Sequence, residues 1–437
     1  MRRILFLLIA AVLTDSSGAS AFAQSSADSL LVSYIRESRQ NHPDLEAMRA
    51  MVTAESSRTV MSRAWMNPEV RAGLMNTPTD FDLNKDPMTM FQVGVMQQVP
   101  FPGKRGAASQ AGQARTEATE AGVRENEFKM AQMVVMAYYD LAAAIATRQS
   151  LQRGLELTET ITQSAAAMLS SGMGSQADVL RARLETEQWN QRLVSNQATI
   201  DRKRAALAYA VGRKDVLSLP DPNLPDSLPL LPELAGVLTD ASLNETPEVQ
   251  QALLQSKAAD AEVRRARLGY WPDLNVGLTY GIRGDLKTEG RDPHTGAPTT
   301  EIMNQDNMLS MEVSVPLPLF YRGNQRAEVS ELRAMRRSTE QNAARARLAK
   351  AQELRELHAL LLEKSTNYQI AANTVLPQAE ETWRATLLDY RAAKLPFMTL
   401  AEARMSVVMT EMAAIMLRAE AWAAYYRWQA ALGKPIQ

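Results

Sequence analysis

Apolar and polar positions alternate in four short segments of the chain. Val70, Ala72 and Leu74 are separated by Arg71 and Gly73, and Phe91, Val93 and Val95 by Gln92 and Gly94. A second pair is cleaner: Leu274, Val276, Leu278, Tyr280 and Ile282, then Leu309, Met311, Val313 and Val315, alternate with Asn275, Gly277, Thr279, Ser310, Glu312 and Ser314. Period two gives a strand one wet face and one dry face, so two β-hairpins are predicted. Elsewhere the period is helical. No proline falls between Gly103 and Leu219 or between Leu319 and Leu376, which permits long uninterrupted helices. Val179, Thr186, Leu193, Ile200 and Leu207 recur at heptad spacing, as do Leu400, Val407, Ala414, Ala421 and Trp428. Both are coiled-coil seams, and their small members let helices approach closely.

The chain is written twice. Arg63, Pro68 and Gly73 recur as Arg267, Pro272 and Gly277, Pro100 and Pro102 as Pro316 and Pro318, and Ala182, Arg183 and Gly212 as Ala403, Arg404 and Gly433. The predicted organisation is a signal peptide over 1–23, a first repeat over 24–213, a proline-rich linker over 214–243 and a second repeat over 244–434. Each repeat reads helix, β-hairpin, two long helices. The helices are expected over 26–66, 106–169 and 175–211, then 244–270, 322–389 and 397–428; the longest is roughly 95 Å at the rise of an α-helix. The fold class is mainly α with a small β part.

Composition narrows the function. Of 437 residues 46% are apolar and the formal charge is -1, which gives no basic footprint for nucleic acid. Arg2 and Arg3, an apolar run over 4–13 and Ala21-Phe22-Ala23 read as a secretory signal, with the mature chain starting near Gln24. Without cysteine there is no disulfide, thiolate metal site or lipid-modified N-terminal cysteine. No later apolar run reaches the twenty or so residues of a membrane helix, so a membrane would be entered by strands.

Four strands per chain leave open edges and cannot close a transmembrane barrel, whose smallest form has eight strands. A cyclic homotrimer would supply twelve and leave no edge. In QQVPFPGKRG, Pro100 and Pro102 end the ladder and Gly103 turns the chain into a helix. Pro316, Pro318 and Gly323 are expected to do the same in SVPLPLFYRGNQ. Cations at a helix start oppose its dipole, so Lys104, Arg105 and Arg322 are expected to face something anionic, such as lipid headgroups, or to be plain solvated charges.

The doubled NHPDLEAMRA and ETPEVQQALL, the strand ends VPFPGKRG and VPLPLFYRGN, the segment VLPQAEETWRATLLDYRAAKL and the terminal YAVGR and AALGK resemble the TolC family of outer-membrane efflux proteins. The resemblance covers nearly all of the mature chain. It implies a homotrimer with a transmembrane β-barrel, a long periplasmic α-helical barrel and a belt formed partly by the linker. It also implies a passive duct that takes drugs or heavy-metal ions from a periplasmic adaptor and an inner-membrane pump of the RND type, in a Gram-negative outer membrane. PFPGKR resembles metal-efflux members. The alternatives are the exit duct of type I protein secretion and a secreted coiled-coil scaffold without a pore.

No enzyme, cofactor or metal site is expected. His42, His294 and His358 are scattered, His294 in a segment, GRDPHTGAPTTE, expected to be a polar loop, and nucleotide-loop, serine-hydrolase and HExxH patterns are absent. The methionines Met130, Met133 and Met136 follow helical spacing, which favours packing over a thioether copper site. The remaining candidates lie at the two turns between long helices. Gly172 and Gly174 permit the first, and Pro396 can start the helix after the second. By resemblance these tips, with Gly172, Gly174, Ala393 and Lys394, meet the adaptor, and a gate forms around Tyr390, Glu402, Asp178 and Thr399. The family pattern has an Arg and a second acid where this chain has Leu395 and Thr399. Three copies of Glu402 around one axis would repel one another and select cations; the alternative is a pairing of Glu402 with Arg404 or Arg183.

Overall fold

The computed structural model describes residues 25–436 except 80, 83, 173, 217, 218, 318 and 393, so the expected signal sequence, Pro318 and Ala393 lie outside the described residues. Helix α1 (Ser25–Asn41) stops at His42 and α2 (Pro43–Arg63) begins with proline. The single helix expected over 26–66 is thus two, because proline disfavours α backbone in the residue before it. Strands β1 (Glu69–Met75) and β2 (Met90–Val99) are followed by α3 (Lys104–Ser170) and α4 (Gln176–Val211). The second half holds α5 (Asp240–Asn244), α6 (Pro247–Arg267), β3 (Leu274–Arg283), β4 (Leu286–Arg291), β5 (Pro298–Met303) and β6 (Met308–Ser314). Helices α7 (Gln325–Ile370), α8 (Leu376–Arg391) and α9 (Phe397–Ala431) complete it.

Two further expectations are corrected. The helix expected over 322–389 starts at Gln325 and contains a π turn, Ala371–Val375, before α8. Pro377 has no N–H for the carbonyl one turn earlier, and the wider turn absorbs that loss. The polar segment around His294, expected as a loop, is an antiparallel ribbon in which β4 pairs with β5 from Leu286↔Met303 to Arg291↔Pro298. Its tip closes where Asp292 Oδ1 accepts the His294 and Thr295 N–H groups and Gly296 adopts φ +72°.

The chain forms two compact units, each taking segments from both halves of the sequence. One comprises Ala50–Ala121 and Gln251–Ala344, and the other the described residues up to Arg49, Gly122–Gln250 and Arg345 onward. The first contains every strand among the described residues. Its sheet has the order β1-β2-β3-β6, antiparallel throughout, with β2 and β3 joining the two halves of the chain. Its helices pack through Ala111, Ala114, Ala258 and Ala261. Around that contact Arg115 bridges Glu55 (2.7 Å) and Glu262. Burial raises the Glu55 carboxyl, but hydrogen bonds from Arg115 and Arg58 outweigh it and hold the group below its ordinary value.

In the other unit the seam positions pack as the heptads predict: Val179, Ile200, Leu207, Leu400, Val407, Ala414, Ala421 and Trp428 are buried. The most apolar part of α3, including Val134, Tyr138, Leu141 and Ala142, is buried in the main core with Trp422 and Tyr426. The linker is fastened to this core by its carbonyls. Tyr34 donates to Pro220 (2.9 Å), Trp422 Nε1 to Ser227 (2.8 Å), and His358 Nε2 lies 3.2 Å from the Pro232 carbonyl. Burial pushes the Tyr34 hydroxyl up to about 12.

Candidate functional site

The sheet aligns its apolar residues in rows. Val70, Val95, Leu278 and Met311 stand side by side across the four strands, as do Ala72, Val93, Tyr280 and Leu309, and then Leu74, Phe91 and Ile282. The opposite face carries Arg71, Gly94, Thr279 and Ser310 in one row and Glu69, Met96, Gly277 and Glu312 in another. A slip of one residue in any strand would put its apolar set on the polar face, so the pattern itself fixes the register. The apolar face is uncovered: Leu278 is 53%, Leu309 69% and Met311 74% exposed. Among the described residues nothing pairs with the outer edge of β1 or of β6.

The two strand-to-helix junctions differ. In the first, Gly103 has φ +94° and Asp273 Oδ1 accepts both the Phe101 N–H (2.9 Å) and Lys104 Nζ (2.7 Å). Phe101 stacks on Trp271, with 4.9 Å between ring centroids. Burial raises the Asp273 carboxyl, but the hydrogen bonds from Lys104 and Phe101 outweigh it and hold it below the ordinary carboxylate range. Arg105 donates to the Arg63 carbonyl through Nε (2.8 Å) and Nη2 (2.6 Å) and lies over the Trp65 ring. Lys104 and Arg105 therefore both meet partners within the chain. Among the described residues the second junction has no such clamp. Gly323 does not have a positive φ, and nothing stands within 4 Å of where its Cβ would be, so its backbone does not require glycine. Past Pro316, Leu317, Leu319 and Phe320 are exposed and Arg322 has no carboxylate partner among the described residues.

At the helix tips, Gly172 has φ +73° and its N–H bonds the Leu169 carbonyl (3.1 Å). Gly174 bonds the Met168 carbonyl (3.0 Å), and a Cβ there would lie 2.9 Å from the Leu169 nitrogen. Ser175 caps α4: its Oγ accepts the Asp178 N–H (3.1 Å) and donates to Asp178 Oδ2 (2.8 Å). Tyr390 is buried with Ile161, Ala165, Val179, Phe397 and Leu400, its ring edge-on to Phe397 at 6.3 Å. Burial, with the nearby Asp178 carboxylate, raises the Tyr390 hydroxyl above its ordinary value. The structure therefore brings Tyr390 and Asp178 together and leaves Thr399 and Glu402 exposed on the first turns of α9. Lys394 lies 3.7 Å from Asp389 at the second tip.

Neither alternative partner reaches Glu402. Arg404 lies over the Trp383 ring at 5.4 Å, its guanidinium held below the ordinary arginine value by burial, and among the described residues Glu402 has no ion pair. No group of three or more His, Asp or Glu could hold a metal ion among the described residues. His42 is buried where α1 meets α2, edge-on to Tyr209. Sequence reasoning missed Asp273, whose one signal is its place directly before the alternating run.

Comparison with known proteins agrees with this architecture. The sequence profile described as "Outer membrane efflux protein" matches residues 34–213 and 238–434. Relatives include the nickel and cobalt resistance protein CnrC of Cupriavidus metallidurans, 24% identical over 55% of this chain and 56% of that protein. The cobalt-zinc-cadmium resistance protein CzcC of the same organism is 25% identical over 70% of this chain and 68% of its own length. The chain thus spans little more than half of CnrC. Among solved structures, CusC aligns with a TM-score of 0.75 at 16% identity over 93% of this chain and 92% of its own. The outer membrane protein VceC of Vibrio cholerae gives 0.75 at 16% over 94% and 97%. The chain belongs to the outer membrane efflux protein family.

Proposed function

We propose that this outer membrane efflux protein is the outer-membrane channel of a tripartite efflux system, a passive homotrimeric duct fed by a periplasmic adaptor and an inner-membrane pump. The sheet carries the proposal. An exposed apolar face in register across four strands suits hydrocarbon, and two unpaired edges suit closure with further copies. Three copies supply twelve strands, and the polar face then lines the pore. The long helices with small seam residues supply the periplasmic barrel. Gly172, Gly174, Ala393 and Lys394 meet the adaptor, and the pump is of the RND type. Heavy-metal ions are the cargo, in keeping with relatives named for nickel, cobalt, zinc and cadmium resistance.

The closed state is held at the tips. Tyr390 packs the turn shut beside Asp178, while Thr399 and Glu402 face outward on α9, where symmetry would gather three copies of each. Purified full-length protein added to a planar bilayer is expected to conduct as a trimer. A water-soluble monomer that ignores detergent and bilayers would overturn the duct. Deleting the gene should raise the host's sensitivity to cobalt, nickel, zinc or cadmium salts; unchanged sensitivity with a conducting trimer would overturn the cargo alone.

A further inference from the structure

We infer that Glu69 of one copy closes the unclamped second junction of the next, accepting the Leu317 N–H and pairing with Arg322. The repeat makes the argument. Asp273 follows Pro272 at the head of β3 and clamps the junction that leaves the neighbouring strand β2, taking the Phe101 N–H and Lys104. Glu69 follows Pro68 at the head of β1, the position equivalent to Asp273, but β1 is an edge strand and within one chain has no such junction beside it. The other edge is β6, whose junction holds Pro316 and Leu317 where the first holds Pro100 and Phe101. Among the described residues that junction lacks its acid. The Leu317 N–H and the Arg322 guanidinium have no partner among the described residues, and Leu317, Leu319 and Phe320 are 69%, 74% and 83% exposed. Placing β1 of a second copy on β6 supplies a carboxylate where both donors wait and covers the apolar segment. The charges match, and the contact continues the ladder already formed between β2 and β3.

Within its own chain Glu69 reaches Arg71 at 3.1 Å, both side chains more than half exposed, a pair of the kind that contributes little. The inference rests on the homotrimer proposed above, and its test separates the two. Because the chain has no cysteine, Glu69→Cys with Arg322→Cys can be cross-linked by a short bis-maleimide without background. The doubly substituted full-length protein treated in detergent is expected to give covalent dimers and trimers on a denaturing gel, and neither single variant should do so. Glu69→Gln should weaken the monomer–trimer equilibrium about tenfold per interface, the scale of a charge-assisted hydrogen bond. Arg71→Gln should leave it unchanged, and Glu69→Arg with Arg322→Glu should restore what either charge reversal alone loses. A trimer that forms but neither cross-links nor responds to Glu69→Gln overturns this contact and leaves the duct. So does an equal effect of Arg71→Gln, or a dependence of the Arg322 variants on anionic phospholipid instead of on Glu69. A protein that never forms trimers overturns the duct itself.

Discussion

Replacing Leu278 by lysine separates a membrane sheet from a water-soluble one. Leu278 lies near the middle of β3 between Val95 and Met311, more than half of its surface uncovered. On a protein surface in water such a change stays within about 0.5 kcal/mol. On the lipid face of a barrel near the bilayer midplane it costs ~2–4 kcal/mol. At 1.4 kcal/mol per factor of ten, that lowers the folded-to-unfolded ratio by roughly thirtyfold to several hundredfold per copy. Ser310→Lys is the internal control. Ser310 sits one strand over on the polar face, beside Thr279, where a water-exposed lysine should stay within about 0.5 kcal/mol. Guanidinium unfolding of the two variants from lipid vesicles, followed by loss of the heat-modifiable folded band, gives the difference directly. Equal costs, or a Leu278→Lys cost within about 0.5 kcal/mol, would show that hydrocarbon does not contact this face.

The junction, the turns and the gate give further tests. Asp273→Asn should cost ~1–2 kcal/mol through the weakened Lys104 and Phe101 bonds. Because the folded carboxyl lies below its unfolded value, its contribution is complete above about pH 4 and disappears as pH falls through the lower folded value. Acid titration of unfolding should therefore be flatter in Asp273→Asn than in the parent. Gly172→Ala should cost ~1 kcal/mol for its left-handed backbone, and Gly174→Ala ~1–3 kcal/mol because its new Cβ meets the Leu169 nitrogen, both read as faster proteolysis at the tip. Tyr390→Ala removes a buried ring worth ~3–5 kcal/mol of local packing and should raise single-channel conductance and entry of large antibiotics. Glu402→Gln should lower cation selectivity without changing stability, since the side chain is exposed. A stable, assembled double variant that conducts like the parent would remove the gate.

Much of this was legible because two periods dominate the sequence. Strict alternation from Leu274 to Ile282 and from Leu309 to Val315 can be satisfied only by strands with one dry face, and the aligned rows follow from it. Heptads free of proline likewise left little choice for α4 and α9. Elements resting on single residues or contrary propensity were hidden. Ribbon β4–β5 sets Lys, Glu, Gly and Pro, residues depleted in strands, among its Thr and Ile, and LKTEGR and PTTEIM show no strict apolar alternation, so its period carries no signal. The π turn depends on how the helix yields to one proline. The Asp273 clamp depends on a contact across 169 residues of sequence that no local pattern announces. For Lys104 and Arg105 the helix dipole states that a cation needs compensation but not that Asp273 and the Arg63 carbonyl provide it.

The pairing of β2 with β3 explains why both repeats remain in one chain. An isolated two-stranded hairpin is marginal, and either repeat alone would offer rows of only two apolar residues. Joined from Met90↔Arg283 to Val99↔Leu274, the hairpins make rows of four, and the second half reaches back through Asp273 to fix where the first leaves the sheet. Each half therefore completes the other at a different place. β2 gains a ladder partner and its junction a carboxylate, while β3 gains the neighbour that sets its register. The outer edges keep the freedom the inner ones lost, and substitutions at β1 and β6 should act on assembly where those at β2 and β3 act on folding.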